Sequence, residues 1–208
     1  PPDWEARVPA ALRTGGVIRA GCAWRFMEAF RMPADCPACG TAVLREGKQV
    51  RCPNSSRCPP QVVGRTLALV GRDAFEIEHV GEKAIEQLVA HGLLSGPGDL
   101  FHLRPERLLE LERWGEKSVD NLMRELELRR KVSFERFLTG LSIPEVGSAT
   151  ARLLARHLPG LDGLRAATAE ELQEIDGGGP EVAERIVSWF SASENQALLQ
   201  RLFDGGVE

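Results

Sequence analysis

The sequence predicts a mostly α fold, with a small four-cysteine module followed by an all-α domain of four helix–turn–helix repeats. Three observations predict it. Cysteines pair as CPACG at 36–40 and RCPNSSRCPP at 51–60. Gly81, Gly115, Gly147 and Gly179 recur at separations of 34, 32 and 32 residues with matching surroundings. Between 76 and 208 almost nothing alternates with the period of two that a half-buried strand requires.

A chain of 208 residues, 43% apolar and 27% charged, can bury one or two ordinary cores but not a large multidomain enzyme. No apolar run is long enough to span a membrane, and the first thirty residues lack a secretory signal pattern. The expected compartment is therefore the cytoplasm. The net charge of -4 is unevenly spread: residues 31–75 carry a net +4 and residues 76–208 a net -9. Bulk charge does not announce a nucleic-acid partner, so any such case must come from local geometry.

The cysteine module comes first. Two residues separate Cys36 from Cys39 and five separate Cys52 from Cys58. Two short loops can each aim two thiolates at one ion, closing a tetrahedron at about 2.3 Å per metal–sulfur contact. Such a closed site is structural, and zinc is the expected ion. Gly40 and Pro37, Pro53, Pro59 and Pro60 suit the tight loops. The segment EGKQV at 46–50 reads as a turn running into a short strand. The alternative, two disulfides, needs an oxidising compartment that nothing else in the chain suggests. Cys22 lies outside both pairs and reads as a free, partly buried thiol.

The repeats follow. Four residues before each turn glycine stands an aliphatic: Ile77, Leu111, Ile143, Ile175. Four after stand Ile85, Val119, Ala151 and Ala183, and seven after stand Leu88, Leu122, Leu154 and Ile186. The +4 and +7 positions share one face of a helix that starts at the glycine, and the -4 position ends the helix before it. The second helices are predicted near 81–90, 116–130, 147–157 and 180–191. Pro105 suits a first helical turn, Thr168 with Glu171 and Ser193 with Gln196 fit capping boxes, and Gly160 and Gly205 sit where helices should stop. The run RELELRRK at 124–131 reads as a solvated helix end.

A helix that starts at a glycine presents unpaired N–H groups and the positive end of its dipole, with no Cβ to keep an anion away. Backbone contacts of this kind hold phosphates without basic side chains and without reading bases. Lys83 and Lys117, each in a Gly-Glu-Lys triplet, would add charge there, and Ser148 follows the third glycine. The other reading is a helical array whose glycines only permit close packing. Trp114 is expected to pack into the core, as are Trp189 and Phe190. His79, His91, His102 and His157 are scattered and are expected to be solvated or capping. Arg45, Lys48, Arg51, Arg57 and Arg65 are the candidates for a phosphate-facing patch near the cysteines.

The order CPACG, RCPNSSRCPP, IEHVGEKAIEQL, LERWGEKSVDNL, IPEVGSATARLL and IDGGGPEVAERI resembles the C-terminal half of bacterial NAD-dependent DNA ligase. The resemblance covers about residues 31–208. It implies a four-cysteine zinc finger over 31–66, holding structural Zn2+ on Cys36, Cys39, Cys52 and Cys58, and a helix-hairpin-helix domain over 67–208. GGVIRAG at 15–21 is matched to a remnant of the family's oligonucleotide-binding barrel, and residues 1–30 otherwise match poorly. The implied partner is double-stranded or nicked DNA, together with the ligase domains that this sequence lacks. The implied contact residues are Gly81, Lys83, Arg113, Gly115, Lys117, Gly147, Ser148, Gly177 and Gly179.

Departures from the family pattern matter. Its hairpin favours two glycines around a hydrophobic residue, yet His79, Arg113 and Glu145 take the first glycine's place in units one to three. Unit four keeps Gly177 and Gly179, with Gly178 between them. Glu145 sets a carboxylate beside the expected phosphate, whereas Arg113 can donate to it. The family attaches AMP to a lysine in Lys-x-Asp-Gly, and none of Lys48, Lys83, Lys117 or Lys131 begins that motif. NAD and Mg2+ are thus expected on the complete family enzyme and not on this chain, which alone should not seal a nick. The different expectation is a zinc-stabilised protein-interaction adaptor derived from the ligase, favoured by the lost glycines and the -9 balance. A hydrolase or nuclease finds no carboxylate or histidine cluster of suitable spacing.

Overall fold

Cys58 belongs to the cysteine loops and is also the N-cap of the first helix, so the two parts of the chain share an element. The computed structural model describes residues 32–175 and 179–208. Cys22, the segment at 15–21 and Gly177 lie outside the described residues.

Strands β1 (Leu44–Glu46) and β2 (Gln49–Arg51) pair antiparallel, with Leu44 opposite Arg51 and Glu46 opposite Gln49. Gly47, at φ 59°, takes the left-handed first corner of the two-residue turn between them, as the expected turn into a strand requires. The remaining elements are helical. Unit one is α1 (Pro59–Val70) and α2 (Glu82–Ala90), and unit two is α3 (Pro105–Leu109) and α4 (Glu116–Leu128). Unit three is α5 (Phe134–Gly140) and α6 (Ser148–His157), and unit four is α8 (Ala169–Gln173) and α9 (Pro180–Ser191). A 3-10 segment (Pro97–His102) joins units one and two, α7 (Gly160–Ala166) joins three and four, and α10 (Ser193–Asp204) packs on α9 and the 3-10 segment. The fold is mostly α, with an all-α domain behind the cysteine cluster. Among the described residues, no helix is long and apolar enough to cross a membrane.

Periodicity explains the core. Every aliphatic at the -4, +4 and +7 positions of the four repeats is buried. Burial of each larger one contributes about 1.5–3 kcal/mol. Phe75, fully buried, packs its ring 5.7 Å from Phe101 and 6.2 Å from Phe137. Trp189 and Phe190 are buried edge to face at 5.0 Å. Gly140 is needed for close approach, since a Cβ there would lie 3.0 Å from the Phe75 ring and 3.1 Å from Leu69.

Several local expectations are met. Pro105 opens α3, Gly205 caps α10, and Thr168 and Glu171 form the reciprocal box at the start of α8. Three others are corrected. Ser193 is the first residue of α10 and not its cap, which is Ala192. Gln196 instead donates to the Phe190 carbonyl, and Asn195 to that of Trp189, which also receives the Ala192 N–H at 3.4 Å, because the sharp α9–α10 corner cuts off the next turn of helical donors. Helix α6 stops at His157 with Leu158 as its cap, and Gly160, at φ 85°, opens α7. The end of α4 is tied down on one side, because Arg129 binds Glu76 Oε2 at 3.2 Å as well as Glu125 at 3.5 Å.

Candidate functional site

The four cysteines converge. Their sulfurs all lie within 4.8 Å of one another, with Cys36 Sγ 3.8 Å from Cys58 Sγ and Cys39 Sγ 3.5 Å from Cys52 Sγ. A tetrahedron of sulfurs about 2.3 Å from one ion has edges of about 3.8 Å, so the cluster fits a metal ion. None of the four forms a disulfide. The scaffold is local: Cys36 N–H donates to the Thr41 carbonyl at 2.8 Å, Thr41 Oγ1 lies 3.3 Å from Cys39 Sγ, and Asn54 Nδ2 reaches Thr41 Oγ1 at 3.4 Å. Thr41 holds the Cys39 thiol down to about 6, chiefly through its hydroxyl, while burial pushes Cys52 up to about 12 and also raises Cys58. Thr41 and Asn54, which lace the two knuckles together, carry no spacing signal in the sequence.

The four turn glycines occupy equivalent positions. Gly81, Gly115, Gly147 and Gly179 are the N-caps of α2, α4, α6 and α9, and none of these helix starts is capped by a side chain. All four glycines are exposed, and a Cβ on any of them would meet nothing within 4 Å. Their φ angles run from -108° to -55°, a range open to any residue. Neither packing nor backbone geometry therefore asks for glycine, which argues against the close-packing reading. Space on the outer side of the turn is what glycine preserves.

The residue two before the glycine is left-handed in each described case: His79 at φ 65°, Arg113 at 70° and Glu145 at 65°. The hairpin thus imposes a conformation in which glycine is unstrained. His79, Arg113 and Glu145 adopt it despite their Cβ atoms, and each is exposed.

The structure brings the first two turns together. His79 and Lys83 from unit one and Arg113, Trp114 and Ser118 from unit two line one cleft of about 380 Å3. Trp114 packs against the core while its Nε1 donates to Gln87 Oε1 at 2.9 Å, and Gln87 Nε2 donates to the Glu112 carbonyl at 3.1 Å. Gln87 is the brace that sequence reasoning missed, since its partners are 25 and 27 residues away. Lys117 and Ser148 are exposed but do not line that cleft. Carboxylates follow three of the glycines, as Glu82, Glu116 and Glu181, whereas the first turn of α6 has none.

Among the other singled-out groups the histidines are dispersed. His102 Nε2 meets the Arg201 carbonyl at 2.8 Å and His157 Nδ1 the Leu153 carbonyl at 2.9 Å. Arg45 donates to the Met32 carbonyl, and Arg65 to Asn195 Oδ1 and the Ser55 carbonyl. Burial lowers the Arg65 value against the opposing pull of Glu194.

Comparison with known proteins agrees with this geometry. The helix-hairpin-helix motif family matches residues 136–199. A DNA ligase of Chlorobium luteolum is 45% identical over 175 residues, covering 83% of this chain and 26% of the relative. Those of Rubrobacter xylanophilus and Chlorobium phaeovibrioides are 44% identical over 182 residues and 42% over 183, covering 86% and 87% of this chain and 26% and 27% of theirs.

Proposed function

From the premise that this chain is a member of the bacterial DNA ligase family, spanning about 26% of its relatives' length, we propose that it grips duplex DNA, intact or nicked, without reading base sequence. The hairpin turns of the four units hold phosphates of the two strands across the minor groove. The observation that carries this reading is the set of four exposed, uncapped helix starts whose glycines leave room outside the protein. The main-chain N–H groups of Gly81, Gly115, Gly147 and Gly179 and their neighbours donate to phosphate oxygens. Lys83, Lys117 and Arg113 add charge, and Ser148 adds a hydroxyl.

Zinc fits the four-thiolate cluster and is assigned a structural role, because four cysteines leave no open coordination position. Nick sealing, with NAD and Mg2+, is ascribed to the other domains of the family enzyme, which would be partners of this chain.

The experiment is a titration of the metal-loaded chain with nicked duplex at several salt concentrations. Gripping of phosphates gives a log–log slope of about -0.9 for each one neutralised. A flat response would overturn the reading. The carboxylates at Glu82, Glu116 and Glu181 favour a protein-docking adaptor instead, and that reading predicts Gly147→Val to leave partner capture intact.

A further inference from the structure

Two residues that ligate nothing, Thr41 behind the first knuckle and Asn54 inside the second, stand half-buried against the cysteine cluster. Thr41 Oγ1 lies 3.3 Å from Cys39 Sγ and 3.4 Å from Asn54 Nδ2. Both residues also reach sulfur through the main chain, the Thr41 N–H at Cys39 and the Asn54 N–H at Cys52. Proton counting fixes the direction of the side-chain bonds. Arg57 N–H donates to Asn54 Oδ1 at 3.2 Å, and a main-chain N–H can only donate, so the amide is oriented with its Nδ2 toward Thr41. Nδ2 in turn can only donate. It occupies a lone pair of Thr41 Oγ1 and leaves that hydroxyl's one proton for Cys39. A cysteine that ligates a metal has lost its own proton, so the bond then runs from hydroxyl to thiolate.

We infer that the Arg57 N–H, Asn54 and Thr41 form a hydrogen-bond relay that ends on Cys39 Sγ and makes Thr41 and Asn54 positioning residues of the metal centre. It rests on the metal reading above and extends it to two side chains outside the ligand set. A divalent ion among four thiolates leaves negative charge in excess on the sulfurs, and a donor aimed at one of them offsets part of it. A hydroxyl that already accepts a bond donates more strongly, because chained hydrogen bonds polarise one another. The relay also crosses between the knuckles, since Thr41 follows the loop of Cys36 and Cys39 while Asn54 lies in that of Cys52 and Cys58. Cys39 Sγ is 3.5 Å from Cys52 Sγ, so the relay spans the contact at which the two loops bring their sulfurs closest together.

The test compares the full chain with Thr41→Val, Thr41→Ser, Asn54→Ala and the Thr41→Val/Asn54→Ala pair. Two quantities are measured: Zn2+ affinity by competition with a chromogenic chelator, and the sulfur-to-metal charge-transfer band of the Co2+-loaded chain. Valine keeps the shape of threonine and leaves the bond from the Cys36 N–H to the Thr41 carbonyl in place. Thr41→Val should weaken Zn2+ binding about tenfold to a hundredfold. It should also move the Co2+ band to lower energy, since a thiolate without its donor gives up charge more readily. Thr41→Ser should restore both. Asn54→Ala should shift the band in the same direction by less, and adding it to Thr41→Val should shift the band no further, because the relay is already cut. Parent values in Thr41→Val, or a serine variant as weak as the valine one, would overturn the relay alone. Additive band shifts in the double variant would make Thr41 and Asn54 two independent contacts and overturn it as well. A full chain without a thiolate charge-transfer band on Co2+ would sink the metal reading and the relay together.

Discussion

Trp114 donates its indole N–H to the side-chain oxygen of Gln87 at 2.9 Å, joining the turn of the second hairpin to the second helix of the first. Because Gln87 also holds the Glu112 carbonyl, one amide side chain fixes the spacing of two turns that lie 34 residues apart in sequence. On the proposed reading the two turns are phosphate sites, which can match a duplex only if their separation is held, and the brace would then link packing to function.

Trp114→Phe keeps most of the apolar contact and removes the donor. The expected loss is about 0.5–1.5 kcal/mol, the net worth of one hydrogen bond. Thermal or urea unfolding measures it. DNA affinity should fall with it, because the first two turns lose their common support. A variant as stable as the parent would show that the brace contributes nothing.

Glycines in this chain serve opposite purposes, and valine tells them apart. At Gly147 a Cβ meets open space, so Gly147→Val should cost at most about 1 kcal/mol as a change of N-cap. It should nevertheless weaken DNA binding on the order of tenfold through loss of a charge-assisted contact. Gly140→Val drives atoms into Phe75 and Leu69 and should cost about 1–3 kcal/mol or more. Paired unfolding and binding measurements would expose any failure of this separation.

Local chemistry made most of this legible in advance. Ile77, Ile85 and Leu88, with their counterparts in the other units, are buried as the repeat requires, since a helix face is set by spacing alone. Cys36, Cys39, Cys52 and Cys58 converge for a similar reason, each pair sitting on one short loop. What escaped depends on distant pairing. Ser55 meets Glu194 across 139 residues and Arg65 meets Asn195 across 130, and no periodicity foretells either. The Ser193 cap failed because competition from the Trp189 and Phe190 carbonyls draws Asn195 and Gln196 away from the helix start.

Glu145 carries strain that glycine would relieve. Its φ of 65° costs an ordinary residue on the order of 1 kcal/mol, and its side chain is exposed. Glu145→Gly should therefore raise the unfolding free energy by about 0.5–1 kcal/mol, part of the relief being offset by the freer unfolded chain. Glu145→Gln leaves the strain in place and removes the charge. It should raise DNA affinity severalfold if a phosphate lies at the third turn, because a carboxylate beside that phosphate is repulsive. An unchanged affinity would place the phosphate elsewhere.

Metal removal should reach beyond the knuckles, because Cys58 both closes the thiolate cluster and starts α1. Metal binding contributes on the order of 10 kcal/mol to a small module of this kind. Chelation should therefore unfold residues 32–58 and fray the first turn of α1, while α4 and α6 keep their amide protection in hydrogen exchange. Acidity of the cluster sets the pH dependence. Burial pushes Cys52 up to about 12 and Cys58 also upward, so near neutral pH the metal-free site holds protons that an incoming ion must displace. Since binding releases protons, affinity should rise with pH through neutrality, and the released protons can be counted by titration in weakly buffered solution. Cys58→Ser removes a ligand while keeping a polar cap, and it should abolish tight metal binding while leaving α1 largely formed. If α1 melts as far as Val70 in that variant, the helix depends on the metal and not on its packing against α2 and α5.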